Sequence, residues 1–138
     1  MDTSFLTDSL IGVGAHALSL GAACVALALF VLIYVMVTPF KEFTLIREGN
    51  SAAAISLGGA IIGYTLPLAK SVAQSGSMND LMLWATVALV AQLLAYGVAR
   101  LTFKQLASDV AHGKQAPAIF LATVSIAIGL LNAAAMTE

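Results

Sequence analysis

The chain has 138 residues, of which 60% are hydrophobic and 9% are charged, and its net charge at pH 7 is −1. Soluble domains carry roughly a quarter charged residues, so this composition excludes a water-facing surface and predicts a membrane protein. The small net charge excludes strong attraction to nucleic acid, and a single cysteine excludes an intramolecular disulfide. The length is typical of one domain, residues 1–138.

Four stretches without charged residues divide the chain, and they hold 32, 21, 19 and 23 residues. A helix that crosses about 30 Å of hydrocarbon needs about 20 apolar residues. The stretches are continuously apolar rather than alternating, which excludes a β-barrel. The sequence therefore predicts an all-α, polytopic membrane protein with four transmembrane helices, near residues 15–38, 51–69, 81–100 and 116–136.

The connection after the first helix changes abruptly from charged to small residues. It contains Pro39 and ends with the turn Glu48-Gly49-Asn50. A glycine after a short helix allows the left-handed conformation that ends it, and Asn50 or Ser51 can cap the next helix. The pattern predicts a tight cytoplasmic turn that returns the chain into the membrane.

The second helix carries small residues at helical spacing. Gly59 and Gly63 form a GxxxG motif, and Ser56 and Gly58 lie nearby. Small residues let helix backbones approach each other in lipid, so these four residues are predicted to pack against another helix, either within the subunit or between subunits. Pro67 removes the hydrogen bond to the Gly63 carbonyl and predicts a kink.

The third and fourth helices contain most of the polar residues predicted at membrane depth. Gln92 and Tyr96 lie four residues apart on one face of the third helix, and Asn132 lies near the outer end of the fourth. These three residues are predicted either to form interhelical hydrogen bonds or to line a polar path. No acid is predicted at this depth, so the carboxylates of proton relays are not expected there.

The third connection, between the third and fourth helices, has an amphipathic segment that ends at Gly113. With an offset of 64 residues, five of the nine positions from Gly49 to Leu57 are identical to those that begin at Gly113. The identities predict a duplicated hairpin, with repeat 1 at about 15–69 and repeat 2 at about 81–136. Because each unit crosses the membrane twice, the two copies form a parallel repeat.

The chain resembles a known family over nearly its whole length. The stretch "TPFKEFTLIREGNSAAAISLGGAIIGYTLPLA" and the ending "GLLNAAAMT" are similar to the YjfL-like bacterial inner-membrane proteins of unknown function. The resemblance implies a bacterial inner membrane, four helices and a duplicated hairpin, and it supplies no catalytic residues. The second copy has His112-Gly113-Lys114 where the first has Glu48-Gly49-Asn50, so a role that needs this acid belongs to one half.

Two functions are compatible with these patterns. The first is a non-catalytic, self-associating membrane subunit or scaffold whose cytoplasmic segments meet a membrane or cytoplasmic protein partner, and its support includes the apparent lack of buried charge. The alternative is a homo-oligomeric channel or a small-solute or ion transporter, supported by Pro67, Gln92 and Asn132. Catalytic, metal-binding and cofactor-binding motifs are absent from the sequence, which predicts no enzyme, no metal and no cofactor.

Orientation follows from the basic residues, because five of the six lie in the first and third connections. This distribution predicts that these connections are cytoplasmic and that both termini lie outside the cytoplasm. A reporter that is active only in the cytoplasm should therefore be silent when fused after Glu138 and active when fused after Gly113. Strong activity of the fusion after Glu138 would reverse the orientation.

Overall fold

The computed structural model of the chain describes residues 2–74 and 77–136. Four of its helices are long and apolar enough to cross a membrane. The all-α fold with four transmembrane helices is therefore confirmed. The helices within the described residues are α1 Thr3–Val37, α2 Glu42–Arg47, α3 Ser51–Gln74, α4 Met78–Thr102, α5 Leu106–Ala111 and α6 Gln115–Ala135.

The long helices extend past the predicted membrane segments. α1 begins at Thr3 rather than near residue 15 and so includes Asp8, while α3 continues past Lys70 to Gln74. A charged residue limits the part of a helix that hydrocarbon can hold, but the backbone hydrogen bonds of the helix continue through the interface. The charge-free stretches therefore indicate the membrane segments and not the helix ends.

The contact between α3 and α6 is the largest in the bundle, and it depends on glycine. A Cβ atom on Gly59 would lie 2.4 Å from the Cα of Ala122, and one on Gly63 would lie 2.2 Å from the carbonyl oxygen of Ser125. No side chain fits in this space, so the two backbones touch directly. Such van der Waals contact holds transmembrane helices together where no hydrophobic effect acts between them.

The other small residues of α3 behave differently from these two glycines. Ser56 is buried, and its hydroxyl donates to the Ala53 carbonyl at 3.1 Å, within its own helix. Among the described residues, no atom lies within 4 Å of a Cβ placed on Gly58. Gly58 therefore contributes nothing to helix packing inside the subunit.

Pro67 is buried within α3, and the helix continues beyond it. Pro67 has no N–H to donate to the Gly63 carbonyl four residues earlier. That carbonyl points at α6, because a Cβ on Gly129 would lie 2.1 Å from its oxygen. Glycine at position 129 thus leaves room for a carbonyl that the proline has released.

Aromatic side chains attach the second half of α1 to the bundle. Phe30 stacks on Tyr64 of α3 with ring centroids 4.2 Å apart, and Tyr34 packs edge-on against Tyr96 of α4 at 5.9 Å. Phe30 and Tyr34 are the buried residues of α1. The first half of α1 has almost every side chain exposed.

The two short helices and their turns have the same backbone geometry. Each end of α5 lies 64 residues after the corresponding end of α2, which is the offset of the sequence identities. Gly49 and Gly113 have φ angles of +86° and +79°, which a side chain would disfavour. The matching N–H to C=O bonds are Gly49 to Ile46, Asn50 to Leu45, Gly113 to Val110 and Lys114 to Asp109.

Replacing single glycines of α3 with alanine tests the contact with α6. Gly63→Ala should destabilise the protein by about 1–3 kcal/mol, because the new methyl group overlaps the α6 backbone. Gly58→Ala is the matched control and should stabilise by about 0.4–1 kcal/mol through lower unfolded-state entropy. Thermal unfolding in detergent measures both. Equal melting temperatures for the two variants would contradict this account of the packing.

Candidate functional site

Two groups of buried polar side chains lie at different levels of the bundle. Gln92 and Ser125 are 1% and 0% exposed in the middle of α4 and α6, whereas Thr38 and Glu42 are 6% and 0% exposed where α1 meets α2. The first level contains amides and hydroxyls. The second contains a carboxyl group, and it is the candidate functional site.

Gln92 joins three helices at the central level. Its Nε2 atom donates to the backbone carbonyl of Ser125 at 3.0 Å. The same nitrogen lies 2.7 Å from the position of a Cβ on Gly63, so any side chain on Gly63 would displace it. The glycine surface of α3 thus lets an amide from α4 reach the backbone of α6.

Gln92, Tyr96 and Asn132 lie at three different depths of the bundle. Tyr96 is buried one turn from Gln92, on the side toward α2, and packs against Tyr34. Asn132 is half-buried and lies about two turns beyond Ser125, toward the opposite end of the bundle. Among the described residues, the Tyr96 hydroxyl and the Asn132 Nδ2 atom have no hydrogen-bond partner.

Glu42 is a buried acid in the connection between α1 and α3. It is the first residue of α2 and is 0% exposed, while the neighbouring Lys41 is exposed. The expected lack of buried charge is therefore wrong, because the first turn of α2 packs inward against the ends of the long helices. The 64-residue offset could have indicated this burial, because it pairs Glu42 with Leu106. Leu106 begins α5 and is also 0% exposed.

The carboxyl group of Glu42 has one side-chain hydrogen-bond partner. Its Oε1 atom bonds to the Thr38 hydroxyl, and its Oε2 atom has no partner among the described residues. Within those residues the one ion pair joins Lys114 and Asp109, so no cation balances Glu42. Burial raises the pKa of Glu42 above its usual range, and the bonds from Thr38 and from the backbone N–H of Glu42 itself oppose this effect in smaller measure.

Two tyrosines complete the surroundings of Glu42. The hydroxyls of Tyr34 and Tyr96 lie close enough to interact electrostatically with its carboxyl group, and neither has a hydrogen-bond partner in the described part of the chain. The exposed guanidinium of Arg100 acts on the Tyr96 hydroxyl from the end of α4. In residues 2–74 and 77–136, no group of three or more His, Cys, Asp or Glu side chains comes together.

The turn at Asn50 connects the two halves of the chain. Asn50 Oδ1 accepts from the N–H of Ala53, as an N-cap does, at 3.0 Å. Its Nδ2 atom donates to the carbonyls of Val110 and Ala111, at 3.0 and 3.2 Å. Glu48 is the exposed C-cap of α2. Asn50 thus caps α3 and binds the last carbonyls of α5 at the same time.

Comparison with known proteins identifies the family. The family described as "Domain of Unknown Function (DUF350)" matches residues 5–136. The chain is 35% identical over 132 residues to the "UPF0719 inner membrane protein YjfL" of Escherichia coli (strain K12), which covers 96% of this chain and 98% of that protein. It is 28% identical over 94 residues to the "UPF0719 transmembrane protein YshE" of Bacillus subtilis (strain 168), with 68% of each chain covered. No solved structure matches the chain significantly.

The chain belongs to the DUF350 family, and the resemblance to YjfL-like proteins is confirmed. With four helices that can span a membrane and a relative described as an inner membrane protein, it is a multi-pass bacterial inner-membrane protein. The comparisons supply no activity.

Asn50 and Lys114 occupy equivalent positions in the two turns, which allows a matched test. Asn50→Ala should destabilise the protein by about 1–2 kcal/mol, because it removes the cap of α3 and the donor to two carbonyls of α5. Lys114→Ala removes an exposed ion pair and should change stability by less than about 0.5 kcal/mol. Melting temperatures in detergent compare them. Similar losses in both variants would show that the bonds between the turns contribute nothing specific.

Proposed function

We propose that this DUF350 protein is a non-catalytic membrane subunit that self-associates through α1 and presents α2 and α5 to a protein partner. The observation that carries the proposal is the length of α1 combined with its exposure. The other three membrane helices pack closely on one another, whereas α1 contacts them through its second half only.

The charge-free part of α1 is longer than the hydrocarbon core of a membrane is thick. Residues 9–37 carry no charge, and as a helix they measure about 44 Å at 1.5 Å per residue. The hydrocarbon core is about 30 Å thick, and tilt alone would have to reach about 45°, beyond the usual range of roughly 0–40°. Association with a second helix would cover part of this apolar surface, and hydrophobic mismatch favours such association.

The exposed side of α1 has the composition of a helix–helix contact. Gly14 and Gly21 lie seven residues apart, and among the described residues no atom lies within 4 Å of a Cβ placed on either. Residues at this spacing share a helix face, and small residues there admit a second helix. His16 is exposed on the same stretch, and an imidazole is better accommodated by protein than by lipid. A second copy of α1 supplies a matching surface through two-fold symmetry.

The connections α2 and α5 supply the surface for a partner. Phe43 and Phe103 are each 45% exposed next to the basic residues Lys41 and Lys104. Exposed aromatic and basic side chains in and beside these short helices fit the surface of a membrane-associated protein or lipid headgroups.

The alternative function is a homo-oligomeric channel or a transporter of small solutes or ions. It requires that polar groups of several subunits line a shared path. Gln92 is instead enclosed between helices of one subunit, which favours a role in packing. Proteoliposomes that conduct ions with the parent protein, and lose conductance with an assembled Gln92→Leu variant, would support the channel.

Substitution of the α1 glycines tests self-association. The parent protein should form a homo-oligomer in detergent or nanodiscs, and the double change Gly14→Leu and Gly21→Leu should lower the mass toward that of one subunit. Helix content should not change, because both positions face open space within the subunit. Gly97→Leu on α4 is the matched control, since Gly97 also faces open space, and it should leave the mass unchanged.

Light scattering measures the mass, and circular dichroism measures helix content. A parent protein that behaves as a single subunit would contradict the proposal. So would an α1 variant whose mass equals that of the parent.

A further inference from the structure

The hydroxyl of Thr38 lies within hydrogen-bond distance of two acceptors. Its Oγ1 atom is 3.2 Å from the Val35 carbonyl and is also bonded to Oε1 of Glu42. A hydroxyl has one hydrogen to donate. If it bonds to the Val35 carbonyl, the second hydrogen bond needs a proton on Glu42. A neutral carboxyl group then donates to the Thr38 oxygen, and both contacts have a donor.

The second oxygen of Glu42 is buried without a hydrogen-bond partner among the described residues. The hydroxyls of Tyr34 and Tyr96 act on the carboxyl group electrostatically but do not bond to it. With a carboxylate, a full charge is enclosed without a cation, which is strongly destabilising.

Few charged groups surround this carboxyl group. Tyr34 on α1 and Tyr96 on α4 are the titratable side chains that act on it, and Arg100 reaches the Tyr96 hydroxyl from solvent. α3, against which α2 packs, carries only Tyr64 as a titratable residue before Lys70. The neighbouring Lys41 is exposed. The state of Glu42 is therefore determined by burial and by hydroxyl groups.

The second half of the chain shows that packing does not require an acid here. Leu106 is the first residue of α5, is 0% exposed like Glu42, and lies 64 residues later. A leucine thus supports the same short helix and the same glycine turn. Compared with leucine, the carboxyl group adds a hydrogen bond to Thr38 and the capacity to gain and lose a proton.

We infer that Glu42 is a proton-binding site, and that the bound proton holds α2 against α3 and the end of α1. Loss of the proton leaves a buried carboxylate without a partner. Release of α2 exposes that carboxylate to water and uncovers Thr38 and Phe40, which are otherwise buried. Acidic conditions keep the connection closed, and rising pH opens it. This site is independent of self-association through α1.

The direction of the pH effect follows from linkage. The unfolded or released glutamate has a pKa of about 4.3, and burial raises the pKa of Glu42 in the closed state. The full stabilisation of the closed state by the proton is present below the lower value and is lost as pH rises through the raised value. Opening of α2 therefore increases by up to tenfold per pH unit between the two values and then levels off.

Hydrogen exchange of the purified full-length protein tests this inference between pH 5 and pH 8. The ratio of exchange rates of the α2 amides in the parent to those in Glu42→Gln should rise with pH, by up to tenfold per unit. The amides of α5 are the internal reference, because Leu106 replaces the acid there, and their ratio should stay at one. A ratio that stays at one for α2 across this range would overturn the inference.

Two further measurements keep the inference testable if the glutamine variant does not fold. Glu42→Leu copies the residue of the second half and should hold α2 closed at every pH. The chain has three glutamates, so isotope labelling of glutamate followed by infrared spectroscopy can detect a protonated carboxyl group in the parent. One such band should persist above the usual pKa of glutamate and disappear in the leucine variant. Its absence from the parent would also overturn the inference.

Discussion

Direct contact between the backbones of α3 and α6 determines where the remaining polar groups can lie. Gly59 and Gly63 bring the two helices together, and Gly129 accepts the carbonyl that Pro67 releases. Gln92 reaches Ser125 only because Gly63 has no side chain. The same approach places the ends of α3 and α6 side by side, so that Lys70 Nζ donates to the Ala133 carbonyl at 2.7 Å. A cation at the C-terminal end of a helix is favourable.

The positions of charged residues and glycines were sufficient to predict most of the fold. Charge-free stretches indicated the four membrane helices because hydrocarbon excludes charge, and Gly49 and Gly113 marked turns that need positive φ. The beginning of α1 was not predictable in this way, because a charged residue such as Asp8 can lie in a part of the helix outside the hydrocarbon core. Glu42 was missed because its charged neighbours are solvated, and only its tertiary contacts bury it. The packing partners of Gln92 required knowledge of which helices adjoin, which one sequence does not contain.

The two connections combine one backbone with two chemistries. α2 and α5 end in the same glycine turn, yet the first begins with a buried acid and the second with a buried leucine. Asn50 binds across to the other half, whereas Lys114 at the equivalent position pairs with Asp109 nearby. The first half thus carries the buried acid and the bridging amide of Asn50. The second half supplies the backbone carbonyls that accept from Asn50 and the buried leucine.

The bonds from Asn50 to Val110 and Ala111 constrain how the protein is made. The acceptor carbonyls lie 60 and 61 residues later in the chain than their donor. At about 5–20 residues per second, a ribosome needs roughly 3–12 seconds to synthesise that interval. During this time the first hairpin is inserted while the amide of Asn50 lacks its final acceptors. The first turn of the protein is thus completed only after the third membrane helix and the connection that follows it have been synthesised.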